Sequence, residues 1–380
     1  MVRRRLCEMT AKNKRIAVPI FLFLFFYVLL AGSCTVFANA STEKGQQMPK
    51  SKMSLQGDKS FKKELLKKDS VQLESNALFV SPKGKNTNKG SITKPLRTIQ
   101  KALDLVRPGQ TIYVRKGTYS AFSTFKRSGR KGAYITLRNY PGERPRLTGK
   151  RNKSGAILKL SGKCYIKIQG LNIGMFSAPT AQGILLNDSE HHVIIKKNRI
   201  HHLVTTKPGE KETGEANAVL CYGDGRKEQT AIHHIAIENN AVYENVTGWC
   251  EAISIAGNVK YVNVINNKVY DNTNIGIDFY GNAGYCSVKS LDQPRYCLAA
   301  GNHVYGSVCP YAECAGIYAD GAKNVILENN TVHDCMYGIE IGAEELQPAY
   351  PATKITVRNN LVYNNSAGGI RIGGYDAKKS

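Results

Sequence analysis

The sequence is short of acid and almost without tryptophan. Asp and Glu total 29 against 53 Lys and Arg, a formal charge of +24, and Trp249 is the single tryptophan. So basic a chain concentrates polyanions near its surface, or uses Lys only to stay soluble. Its ten cysteines show no zinc-ribbon spacing, which excludes that kind of metal site. No DNA- or RNA-binding motif is present and the Lys excess is spread along the chain. Together with an export signal, this excludes nucleic acid as the partner. The polyanion that an exported protein meets is pectate, alginate, glycosaminoglycan or anionic cell wall.

The export signal is residues 1–40. Arg3, Arg4, Arg5, Lys12, Lys14 and Arg15 give a basic start, residues 16–32 are nearly all apolar, and Ala38-Asn39-Ala40 offers a small-residue cleavage site. Cleavage after Ala40 gives a secreted protein with no stable membrane span. Two alternatives are a retained anchor, for which about 17 apolar residues is short, and lipidation at Cys34, where Ala31 replaces the larger residue a lipoprotein motif wants. The leader carries six basic residues and one acid, so the rest of the chain is left at +19. Eight cysteines remain beyond it. In an exported protein, nearby pairs are expected as disulfides: Cys286/Cys297, Cys309/Cys314 and Cys221/Cys250. The alternative is that some are buried free thiols.

Residues 41–75 are polar and Lys-rich and read as a flexible linker, with at most one frayed helix at 60–68. From 76 the character changes. Ile99, Ala102, Leu103 and Val106 share one helical face, and Pro108-Gly109 ends that helix. A repeat then dominates: VIIKKNRIHH (193–202), IAIENNAVYE (235–244), VNVINNKVYD (262–271), VILENNTVHD (325–334) and ITVRNNLVYN (355–364). A second strand sits between copies, as in AISI (252–255), GIDF (276–279) and GIEI (338–341). Asn198, Asn240, Asn267, Asn302, Asn330 and Asn360 mark the corners, spaced 42, 27, 35, 28 and 30. Repeats of this length predict an all-β solenoid: a single-stranded right-handed parallel β-helix over 76–380, with the 98–106 helix as N-terminal cap. Asn suits the corners because it tolerates left-handed backbone angles and its stacked amides can bond along the axis. The chain ends after GIRIGG with no evident cap, and a truncated product or half of a larger architecture is expected.

The residue between the two isoleucines of each GIxI strand points outward. Stacking puts Leu185, Leu220, Ser254, Asp278, Tyr318, Glu340 and Arg371 in one column. Asn187, Tyr222, Ala256, Tyr280, Asp320, Gly342 and Gly373 form a second. Insertions at 202–217, 223–233, 281–296, 306–315 and 342–353 all flank these strands and predict walls of a groove. Three readings stay open. Glu251, Asp278, Asp320 and Glu340 hold Ca²⁺ in a lyase, with Tyr318 or Arg371 moving a proton or gripping a carboxylate. Asp278 and Glu340, two strands and about 9.6 Å apart at Cα, serve an inverting hydrolase. Or the patch is a solvated face or a binding floor without chemistry, as in an adhesin. Trp249, Tyr280 and Tyr222 are candidates to stack on sugar rings. The expected partner is an acidic polysaccharide, and the chain is expected to be a monomer.

FVSPKGKNTNKGSITKPLRTIQKAL…RPGQTIYVRKGTY (79–119) and GAYITLRNYPGERPRLTG (132–149) resemble the N-terminal segment of extracellular right-handed β-helix proteins. These include polysaccharide lyases of the pectate lyase family nine type. The resemblance covers about 76–380 with the repeats included. It implies a lyase with a calcium cluster rich in aspartate and a lysine base. This sequence has no Asp-Asp pair and no Lys in the outward column from Leu185 to Arg371.

Overall fold

The computed structural model describes residues 49–68, 72–209, 215–345, 347 and 349–373. The leader, Cys34 and the start of the expected linker lie outside them. The alternating apolar runs become short strands, three to a coil, and the strands stack into three parallel sheets. Sheet A has ten strands, from Leu78–Val80 to Thr356–Arg358. Sheet B has nine, from Thr118–Ser120 to Leu361–Tyr363, and sheet C nine, from Ser123–Thr124 to Gly368–Ile372. Neighbours in a sheet come from successive coils, so this is the expected parallel β-helix. The inward isoleucine and valine positions form the core; on sheet C, Ile184, Val219, Ile253, Ile277, Ile317 and Ile339 are all fully buried. Helix α2 (Ile99–Leu105) starts at Thr98, whose side chain accepts from the Lys101 N–H, and buries Ile99, Ala102 and Leu103 at the first coil.

The asparagine corners work differently from expectation in one respect. The residue in the left-handed region is the one before each corner Asn: Lys197, Asn239, Asn266, Gly301, Asn329 and Asn359, with φ between 54° and 64°. That residue makes the turn. The Asn after it points inward and bonds along the axis. Asn240 Nδ2 donates to Asn267 Oδ1 at 3.0 Å, and Asn267 Nδ2 to Asn302 Oδ1 at 3.0 Å. Each Oδ1 also accepts the backbone N–H of the preceding ladder Asn. The ladder runs unbroken from Asn198 to Asn360.

Residues 49–67, expected as flexible linker, instead pack along the outside of sheet A. Met53, Leu55, Phe61 and Leu65 cover Ile194, Ala236, Ile265, Leu298 and Ala300. Polar contacts follow the same path down the coils: Ser54 N–H to Glu328, Gln56 N–H to Asn263, and Lys167 to Glu64 of helix α1 (Lys59–Leu66). Apolar residues on the outward face of a sheet need a cover, and this strap supplies it. Phe61 is fully buried. Phe61→Ala removes an aromatic anchor worth about 3–5 kcal/mol. The expected result in hydrogen exchange is lost amide protection across the strap, with protection of the coils kept.

The expected disulfides are not formed. Cys221, Cys286, Cys297, Cys309 and Cys314 carry free thiols, so none of the three pairs exists. Cys221 and Cys297 lie in the stacked core as small apolar residues, and burial raises both thiols, Cys297 to about 12. At the last described coil, Leu361, Ile370 and Ile372 are exposed, Ile372 by 83%.

Candidate active site

Strand pairing in sheet C aligns the first outward column as expected: Leu185, Leu220, Ser254, Asp278, Tyr318, Glu340 and Arg371 are partners on successive strands. Tyr222, Ala256, Tyr280, Asp320 and Gly342 align as the second. The first column in fact begins two strands earlier, because Lys159 pairs with Leu185 and Thr124 with Lys159. Four strand spacings put this lysine roughly 19 Å from Asp278, too far to act on the same sugar ring.

The acids are not a solvated face. Asp278, Asp320, Glu340 and Glu251 are all buried, Asp320 completely. Insertion loops close over them. The Glu344 N–H, from the 342–353 insertion, donates to Asp320 Oδ1 at 2.8 Å. Glu313, from the 306–315 insertion, pairs with Arg371. Asp278 Oδ1, Asp320 Oδ2, Glu340 Oε1 and the Tyr318 hydroxyl are buried without a hydrogen-bond partner. Leaving such groups unsatisfied costs about 1–3 kcal/mol each, more for charged ones.

Burial and mutual repulsion change the acidity of the whole cluster. Burial, then Asp320, pushes Asp278 well above the usual carboxylate range. Burial, then Glu344, does the same to Asp320. Burial raises Glu251, Glu340 and Glu344 to about 7 each, with Arg371 pulling Glu340 back. A carboxyl raised in the folded state stabilises the fold below its unfolded value of about 4.5, and that stability is lost as pH rises through 7. Buried histidines such as His192 and His201, both lowered to about 4, act in the opposite sense. A single variant isolates the acid effect. Glu340→Gln should gain more melting temperature over the parent at about pH 8 than at about pH 5, which a thermal melt at the two pH values checks.

Tyr318 is held protonated by burial and the surrounding acids, so it can donate a proton but not act as a base. Arg371 lies over the Tyr337 ring at 4.6 Å and 3.6 Å from Glu340 Oε1. It remains a cation, fit to grip a carboxylate and not to take a proton. Trp249 is 45% exposed and leans on Tyr311, 5.2 Å between ring centres. Tyr222 and Tyr280 flank Tyr285 at 4.7 and 5.7 Å. Sequence reasoning missed Glu313, Glu344, Tyr285 and Tyr311. All four sit in insertions, where no repeat assigns a position.

The donors suit a hard divalent cation such as Ca²⁺: five carboxyls, of which Asp278 and Asp320 each keep a buried oxygen without a hydrogen bond or an ion pair. Their spacing is wider than one coordination sphere. Among the described residues, the group of three ligand-type side chains with atoms within 4.8 Å of one another is His192, His233 and His234, not these acids. Holding an ion here therefore requires the carboxylates to turn toward one another.

The fold is a solenoid whose loops cover a carboxyl-lined sheet. The chain belongs to the Pel9A-like, right-handed β-helix region family, whose model matches residues 78–377. It is similar to the uncharacterised protein YwoF of Bacillus subtilis (strain 168), 35% identical over 316 residues, or 80% of this chain and 65% of YwoF. It is also similar to pectate lyase PEL9 of Emericella nidulans, 43% identical over 68 residues, 17% of each chain. The chain thus spans less than two thirds of either curated relative. Among solved structures, pectate lyase Pel9A aligns at 15% identity over 76% of this chain and 79% of its own, with a TM-score of 0.49. Among the described residues no helix is long and apolar enough to cross a membrane.

Proposed function

We propose that this chain cleaves an acidic, uronate-containing polysaccharide by β-elimination on the outer face of sheet C, outside the cell. The observation that carries this reading is the buried carboxyl cluster of Glu251, Asp278, Asp320, Glu340 and Glu344. Clustered buried carboxyls persist only when a cation or shared protons offset their charge. A uronate lyase uses both. Glu251, Asp278 and Asp320 are the residues to hold Ca²⁺, which when bound draws charge from the uronate carboxylate and makes the proton alpha to it more acidic.

The chain's own groups supply the rest. Arg371 exchanges Glu313 for the substrate carboxylate. Glu340, with its acidity near neutral, is once ionised a stronger base than an ordinary carboxylate, and takes the alpha proton. The electron pair left behind forms the carbon–carbon double bond as the glycosidic C–O bond breaks. Tyr318 gives its proton to the leaving oxygen. Trp249 and Tyr311 offer an aromatic surface to a neighbouring sugar, and the net charge of +19 beyond the leader draws the polyanion in.

One observation favours a second reading, an inverting hydrolase. Glu340 near neutral is a fit general acid, and Asp278 stands about 9.6 Å away across two strand spacings. Mass spectrometry of the products separates the two. Elimination leaves the summed product mass equal to that of the substrate, whereas hydrolysis adds one water per cut.

A further inference from the structure

On sheet A, away from the acid cluster, four histidines meet. His192 and His234 take left-handed backbone angles, φ 54° and 56°. That turn lets two consecutive side chains project outward from one strand, where extended backbone would send them to opposite faces. His191 pairs with His233 on the neighbouring strand. The rings stack in register: His191 on His233 at 5.0 Å and His192 on His234 at 4.7 Å, each pair 4° from parallel. The Nδ1 atoms of His233 and His234 are 2.6 Å apart, and one ring nitrogen of His192 lies within 4.8 Å of both residues' ligand atoms.

The N-terminal strap closes this cluster. The Phe61 ring meets His192 and His234 edge-on at 5.5 and 5.4 Å. Asp58 Oδ2 stands 3.9 Å from His192 Nε2 and 3.7 Å from His234 Nε2.

We propose that His192, His233 and His234 form a binding site for a borderline transition-metal ion such as Zn²⁺, with Asp58 as its outer carboxylate. Imidazole nitrogens suit Zn, Cu and Ni, whereas Ca²⁺ takes oxygens. A tetrahedral Zn–N bond of about 2.0–2.1 Å wants ligand nitrogens roughly 3.3 Å apart. The His233 and His234 rings therefore open by less than about 1 Å to admit the ion. At present the Asp58 N–H donates to His234 Nε2 at 3.1 Å, so the ring proton of His234 is on Nδ1. Binding at Nδ1 moves that proton to Nε2, which requires the Asp58 N–H to turn away and Asp58 Oδ2, now 3.7 Å off, to close in as its acceptor. A carboxylate behind a ligating histidine fixes its tautomer and orientation. The ion would thus tie the strap to two coils.

The test is equilibrium dialysis of the untagged full chain against micromolar Zn²⁺, with elemental analysis, and Co²⁺ substitution to read visible absorption. One bound equivalent and tetrahedral Co²⁺ bands are expected. Both should be lost in His233→Gln/His234→Gln and in His192→Asn, and kept in Asp278→Asn. Circular dichroism checks that each variant is folded. No bound Zn²⁺ in the parent chain would overturn the proposal. So would an unchanged stoichiometry in the folded histidine variants, or displacement of the Zn²⁺ by millimolar Ca²⁺.

Discussion

Asp278→Asn is expected to slow glycan cleavage by about 10²–10⁴, the several kcal/mol that a cation at the uronate carboxylate supplies, without loss of stability. Asp278 is buried between Ser254 and Tyr318, with Oδ1 unpartnered. It carries a raised pKa caused by burial and then by Asp320. In the folded protein its charge is a liability, so an amide of the same shape should keep or raise the melting temperature. A purely structural residue in that position would behave the other way, losing stability and activity together. Initial rates and thermal melts on the same preparations decide between the two. A stable, inactive variant supports the site; an active one removes Asp278 from it.

The second large effect is on the scaffold. Asn267 sits mid-ladder. Its Oδ1 accepts from the Asn240 backbone and side chain, and its Nδ2 donates to Ile237 O at 2.8 Å and to Asn302 Oδ1. Asn267→Ala strands several buried partners at about 1–3 kcal/mol each. A total near 4 kcal/mol or more would consume much of a domain's stability. The expected outcome is a large fall in the urea midpoint or no folded product. Asn360→Ala, at the half-buried end of the ladder, should cost far less.

Why were some features readable from sequence and others not? The column from Leu185 to Arg371 followed from strand period alone, because alternate residues face opposite sides and every coil repeats the pattern. Paired asparagines mark the corners, but the pairing alone does not say which member turns the chain. The first takes the left-handed angle and frees the second to face inward. Glu344 and Glu313 were invisible because loop residues carry no period. The strap is hard to read in the sequence because Met53, Leu55, Phe61 and Leu65 are sparse among lysines. The clue lay on the other partner: Ile194, Ala236, Leu298 and Ala300 are apolar on an outward face. Cysteine spacing suggested bridges, yet in a solenoid core a thiol fits wherever a small apolar side chain does.

Elimination from a uronate glycan at the sheet C carboxyls leaves a product with its own optical signature. Its most direct test is ultraviolet absorbance of unsaturated uronate, with the chain incubated on pectate, alginate and glycosaminoglycans, with Ca²⁺ and with chelator. Rising absorbance on at least one of these, abolished by chelator, is the expected result. New reducing ends without absorbance, or no product from a folded chain on any of them, would contradict it.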